Sequence, residues 1–146
     1  MNWHQRFMII AREVSYWSKD PSTKVGSIIV DHKRRIVGTG YNGFPRGVED
    51  TESRLNDRPT KYSLVVHAEA NAILNSTLAD LDGCTLYVTH APCTGCAKLI
   101  IQSGIKYVFS PQGSPLENWA QEQDNARTMM IESGIELGVV DEGWDF

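Results

Sequence analysis

The chain has 146 residues, 41% hydrophobic and 22% charged, enough for one compact domain with a core and too few for a second. A net charge of −4 disfavours a protein that neutralises many phosphates along a nucleic-acid strand and points toward a small ligand. The longest apolar runs, such as Ser27 to Val30 and Leu99 to Ile101, fall far short of the roughly 20 residues that span a bilayer. The N-terminus lacks the layout of a signal peptide, so a cytoplasmic protein is expected. Three cysteines, two of them three residues apart, suit metal ligation better than a disulfide framework.

In chain order, Trp3, Phe7, Ile10, Val14 and Trp17 recur at helical spacing and predict an amphipathic helix over 2–18, stopped by the Lys19-Asp20-Pro21-Ser22 segment. Val25 to Val30 and Arg35 to Thr39 read as two strands of a hairpin. A glycine-punctuated loop, Gly40 to Gly47, follows. Val48 to Ser63 is polar without a clear period and long for a structureless loop, which points to function or mobility. Beyond it, helices are predicted over 69–78, 93–103 and 119–133, the last two closed by Gly104 and Gly134. They alternate with strands over 85–89, 106–110 and 135–140. Such alternation implies a three-layer α/β/α sandwich around a mixed, mostly parallel five-stranded sheet whose first two strands are antiparallel. Cys84 reads as a small buried thiol, and Trp119, Met129 and Met130 as core or subunit interface. The acidic end, Asp141 to Phe146, reads as a tail that Trp144 and Phe146 could anchor.

The informative chemistry lies in His67-Ala68-Glu69 and in Pro92-Cys93-Thr94-Gly95-Cys96. One imidazole and two thiolates make three ligands, and no fourth is obvious, which favours a catalytic zinc with an open position over a structural one. Pro92 suits a helix start, where Cys93 and Cys96 share one face and the helix N-terminus favours thiolates. His67 and Glu69 can meet in one site only if a helix begins between them. Two thiolates neutralise the charge of a zinc ion and weaken its acidifying effect on water. A neighbouring carboxylate that moves the proton restores that help, and Glu69 has that place. Alone, Cys-x-x-Cys reads equally as a redox pair or part of a zinc finger, and His-x-Glu carries nothing.

This combination resembles the cytidine and deoxycytidylate deaminase superfamily. A narrower resemblance, to the deoxycytidylate (dCMP) deaminases, rests on four motifs in order: Ser18 to Gly26, Gly40 to Pro45, His67 to Ile73 and Pro92 to Lys98. The resemblance implies a cytidine deaminase-like fold, attack of water at C4 of cytosine, loss of ammonia, and release of dUMP for thymidylate synthesis. It further implies a homo-hexamer activated by dCTP with Mg2+ and inhibited by dTTP, and a sugar contact from Asn42. The Gly40–Pro45 loop, with Gly43, is similar to the segment that holds the substrate or the regulatory nucleotide. Some phage members carry a second zinc on Cys and His of the long loop; 48–63 has neither here, so one Zn2+ per chain is expected.

A monophosphate needs a cation, and Lys19, Lys24 and Arg46 flank the loops expected near the site, with Ser18 and Thr23 as hydroxyl donors. Ala68 and His90 complete the candidate nucleotide contacts, although His90, just before Ala91-Pro92, reads as well or better as a partly buried loop histidine. Rival readings are a deaminase of RNA or DNA, which would want a basic groove, and a nucleotide-binding regulator without turnover.

Overall fold

A computed structural model describes residues 1–112 and 120–141. Helix α1 (Trp3–Ser15) starts in a capping box: Asn2 accepts from the Gln5 N–H while the Gln5 side chain accepts from the Asn2 N–H. Strands β1 (Gly26–Val30) and β2 (Ile36–Tyr41) follow, then short helices α2 (Glu52–Asn56), α3 (Arg58–Leu64) and α4 (Ala68–Leu74). The remainder alternates: β3 (Thr85–Val88), α5 (Thr94–Ser103), β4 (Tyr107–Pro111), α6 (Ala120–Glu132) and β5 (Glu136–Val140).

The five strands lie in the order β2-β1-β3-β4-β5. β1 is antiparallel to both of its neighbours, and β3, β4 and β5 pair in parallel, so four of the five strands point the same way. The period of two along each strand divides the core between two faces. Ile28, Val30 and Tyr87 meet Phe7, Met8, Ala11 and Val14 of α1. Ile29, Leu86, Val88 and Val108 meet Ala72 of α4, Ala97 and Ile100 of α5, and Ala126 and Met130 of α6. The result is the expected three-layer sandwich, with α1 on one face and α4, α5 and α6 on the other.

The stretch 48–63 differs from expectation: it is helical over most of its length. Thr51 and Asp57 cap α2 and α3 by accepting from the N–H groups of Arg54 and Thr60. Hydrophobic period was a poor guide because α2 buries nothing and the one buried side chain of α3 is Lys61. In α1 the buried stripe is Phe7, Met8, Ala11 and Val14, while Trp3 and Ile10 are exposed, as is Trp17, which lies past the end of the helix at Ser15. Cys84 and Met130 are buried and Met129 packs beside them. Trp119, Trp144 and Phe146 lie outside the described residues.

Candidate active site

The starts of two helices, α4 and α5, meet. His67 is the N-cap of α4, held in extended backbone (φ −70°, ψ 155°), and Glu69 lies in the first turn. Cys93 is likewise the N-cap of α5, and Cys96 sits one turn in. Gly40 makes the first of these placements possible, since a Cβ there would run into the backbone of Ala68 and Ala72. The buried Ser27 hydroxyl donates to the Ala68 carbonyl at 2.8 Å, and Asn71 Nδ2 donates to the Tyr41 carbonyl at 2.8 Å. Both bonds fasten α4 to the strands beneath it.

His67 Nδ1 lies 3.4 Å from Cys93 Sγ and 3.3 Å from Cys96 Sγ. Ligand atoms of a tetrahedral zinc with these donors stand about 3.6 Å apart, so the set fits the ion with a small expansion. The three form the metal-capable cluster among the described residues. The electrostatics suit a cation. The hydrogen bond from Cys96 pulls Cys93 down to about 4, against burial and with help from His67. Cys96, sharing its proton with Cys93 and buried, is pushed up, and Cys93 raises His67. Cys93 is thus the thiol of the cluster that gives up its proton most readily.

Glu69 is 5% exposed and faces Cys96. Burial pushes its carboxyl up to about 6, partly offset by its own backbone N–H and by His67. A carboxyl poised there can take up and return a proton near neutral pH. Glu122 of α6 accepts from the Thr94 N–H at 2.9 Å and from the Thr94 hydroxyl, adding a carboxylate at the start of α5.

A pocket opens over the cluster, walled by His67, Ala68, Glu69, His90 and Cys93 and by Asp20, Ser22, Thr23, Asn42, Lys61, Tyr62 and Gln123. A second pocket adjoins it, lined by Trp17, Lys19, Tyr41, Gly43, Phe44 and Asp50, and shares with it Asp20, Asn42, Lys61 and Val65.

The sequence-derived nucleotide contacts divide accordingly. Ala68, Asn42 and His90 line the first pocket, as does Thr23. Asn42 Oδ1 accepts from the Val25 N–H at 2.8 Å and its Nδ2 donates to the Thr23 carbonyl at 2.9 Å, so it braces the 23–25 loop. His90 Nδ1 meets the Ala91 carbonyl, leaving a buried Nε2 without a partner. Lys19 and Gly43 belong to the second pocket, where Lys19 pairs with Asp50 at 3.0 Å. Lys24 and Arg46 line neither; Arg46 donates to Asn75 Oδ1 at 2.8 Å. The Ser18 hydroxyl is buried and donates to the Asn42 carbonyl. Sequence reasoning missed Asp20, Ser22, Lys61 and Gln123; the Asp20-Pro21-Ser22 turn was visible as a helix stop, but nothing local linked it to Lys61.

Comparison with known proteins agrees with this geometry. The pattern of the cytidine and deoxycytidylate deaminase zinc-binding region matches residues 1–110. An uncharacterized deaminase of Aliivibrio fischeri is 43% identical over 137 residues, covering 92% of this chain and 91% of its own length. The deoxycytidylate deaminase of Mus musculus is 48% identical over 114 residues, 75% of this chain, which match 64% of the mouse enzyme's length. Among solved structures, the dCMP deaminase of cyanophage S-TIM5 in complex with dCMP and dUMP superposes with a TM-score of 0.74 at 26% identity, covering 96% of this chain and 99% of the phage chain. With a His–Cys–Cys cluster that fits zinc, a buried glutamate beside it and this likeness along most of its length, the chain belongs to the cytidine and deoxycytidylate deaminase family.

Proposed function

We propose that this chain deaminates dCMP to dUMP and ammonia. The observation that carries the reading is the buried Glu69 carboxyl standing beside the His67–Cys93–Cys96 cluster in the wall of one pocket. The mouse and cyanophage relatives supply the substrate.

His67, Cys93 and Cys96 would hold one Zn2+ per chain, whose Lewis acidity activates water for attack at C4 of cytosine. Glu69 would take one proton from the attacking water and pass it to N3 of the ring, then take the second from the new C4 hydroxyl and give it to the departing amine as the C4–N bond breaks. Its burial keeps bulk water from carrying the proton away. In this reading the Ala68 N–H, at the positive end of α4, would orient the base and Asn42 would meet the sugar; both residues line the pocket, which supports the assignment.

Regulation belongs to the same reading. The second pocket, with Trp17, Tyr41 and Phe44 around Lys19, is offered as the seat of a regulatory nucleotide: dCTP with Mg2+ to activate, dTTP to inhibit, in a homo-hexamer. What supports it is the shared wall and the Gly40–Pro45 motif. No helix among the described residues is long and apolar enough to cross a membrane, and reduced thiols at the site suit the cytoplasm as its setting.

The test is loss of cytosine absorbance when the zinc-loaded chain meets dCMP, alone and with dCTP and magnesium, alongside sedimentation for subunit number. Turnover of dCMP supports the reading. A zinc-loaded chain that leaves dCMP untouched under both conditions removes it.

A further inference from the structure

Among the described residues that line the pocket over the cluster, Lys61 is the one Lys or Arg. It is 6% exposed, and its Nζ donates to Ser22 Oγ at 2.8 Å and to Asp20 Oδ1 at 3.2 Å. An ammonium has three N–H donors, so one remains. Asp20 Oδ1 also accepts from the N–H groups of Ser22 and Thr23, at 2.9 and 3.0 Å, and from the Ser22 hydroxyl at 3.0 Å. Its charge is thus divided among four donors. Burying an ion pair is a poor source of stability, because desolvating both partners offsets most of their attraction. A fixed, desolvated ammonium in the wall of a ligand pocket serves recognition of an anion better.

We infer that Lys61 reads the 5′-phosphate of the nucleoside monophosphate, with Asp20 and Ser22 as positioning residues that fix its Nζ. Lys61 is therefore the residue that separates a nucleotide from a nucleoside. Lys19, Lys24 and Arg46 are displaced from that role, since none lines this pocket. The assignment rests on the reading of the pocket as a dCMP site.

The experiment compares kcat/KM for dCMP and for deoxycytidine in wild type, Lys61→Met and the double variant Asp20→Asn/Lys61→Met. Calorimetric binding of dUMP and deoxyuridine is measured in parallel. Losing a hydrogen bond to a charged group should lower the dCMP value by roughly 10- to 100-fold and leave deoxycytidine unchanged. The double variant leaves no unpaired buried carboxylate, so it separates recognition from folding. If Lys61 only neutralises Asp20, dCMP turnover returns in the double variant, and the assignment falls; continued loss supports it. Equal losses for both substrates in Lys61→Met, or equal dUMP and deoxyuridine affinity in wild type, also overturn it. A wild-type chain that binds dUMP in preference to deoxyuridine yet turns over neither substrate sinks the deaminase reading and leaves the lysine's role standing.

Discussion

The Ser27 hydroxyl reaches across 2.8 Å to the carbonyl of Ala68, so an interior strand holds the residue between the His67 imidazole and the buried Glu69 carboxyl. That bond fixes the angle at which α4 enters the pocket. Ser27→Ala leaves a buried carbonyl without this donor, and the expected loss is about 1–3 kcal/mol of unfolding free energy. Urea unfolding of the zinc-loaded protein measures it. A change within error would mean that Gly40 and the packing of Ala72 suffice to seat the helix.

Gly40 is the other half of that seat. Its added Cβ in Gly40→Ala meets backbone atoms of Ala68 and Ala72, which have no flexible end to yield. The helix must lift off β2, so both Tm and zinc affinity should fall. Retention of both would contradict the close approach.

Glu69→Gln keeps the shape of the side chain and removes the proton carrier. Turnover should fall by roughly 10²–10⁴-fold, in the range of a lost general acid–base group. Bound zinc, measured by mass spectrometry or atomic absorption, should stay at one per chain, because the proposed ligand set of His67, Cys93 and Cys96 is left intact. Loss of metal together with activity would make Glu69 a ligand instead.

The Asp20 carboxyl titrates below its ordinary 3.8. Burial works against this and is outweighed by the N–H groups of Thr23 and Ser22, the Ser22 hydroxyl and Lys61. The folded chain therefore binds this proton more weakly than the unfolded chain. The resulting stability is complete above the unfolded value and is lost as pH falls through the folded one. Asp20→Asn should flatten the decline of the unfolding midpoint below about pH 4 relative to wild type. Parallel curves would show that Asp20 gains no net stabilisation of its charged form. The difference between the two proteins is needed because Asp31 is also lowered, by the Arg35 N–H and side chain against burial.

The sequence by itself determined what is local. His67-x-Glu69 and Cys93-x-x-Cys96 bring their donors together because each pair sits within one helical turn, and Pro92 and Gly104 mark where the second of those helices begins and ends. The period of two in β1 and β3 likewise fixed which side chains go to which face. Tertiary structure decided what required distant partners. Lys61 and Asp20 are 41 positions apart and meet only when α3 folds over the loop after α1. No period or spacing records that contact, so Lys19, Lys24 and Arg46 looked equally eligible for the phosphate. Helices α2 and α3 were hidden for a related reason: their caps are short-range, but they bury almost nothing, and a hydrophobic pattern exists only where a face is buried. The strand order, with β1 between β2 and β3, was also left to the fold, because it depends on pairing between strands far apart in the chain, β1 with β3 among them.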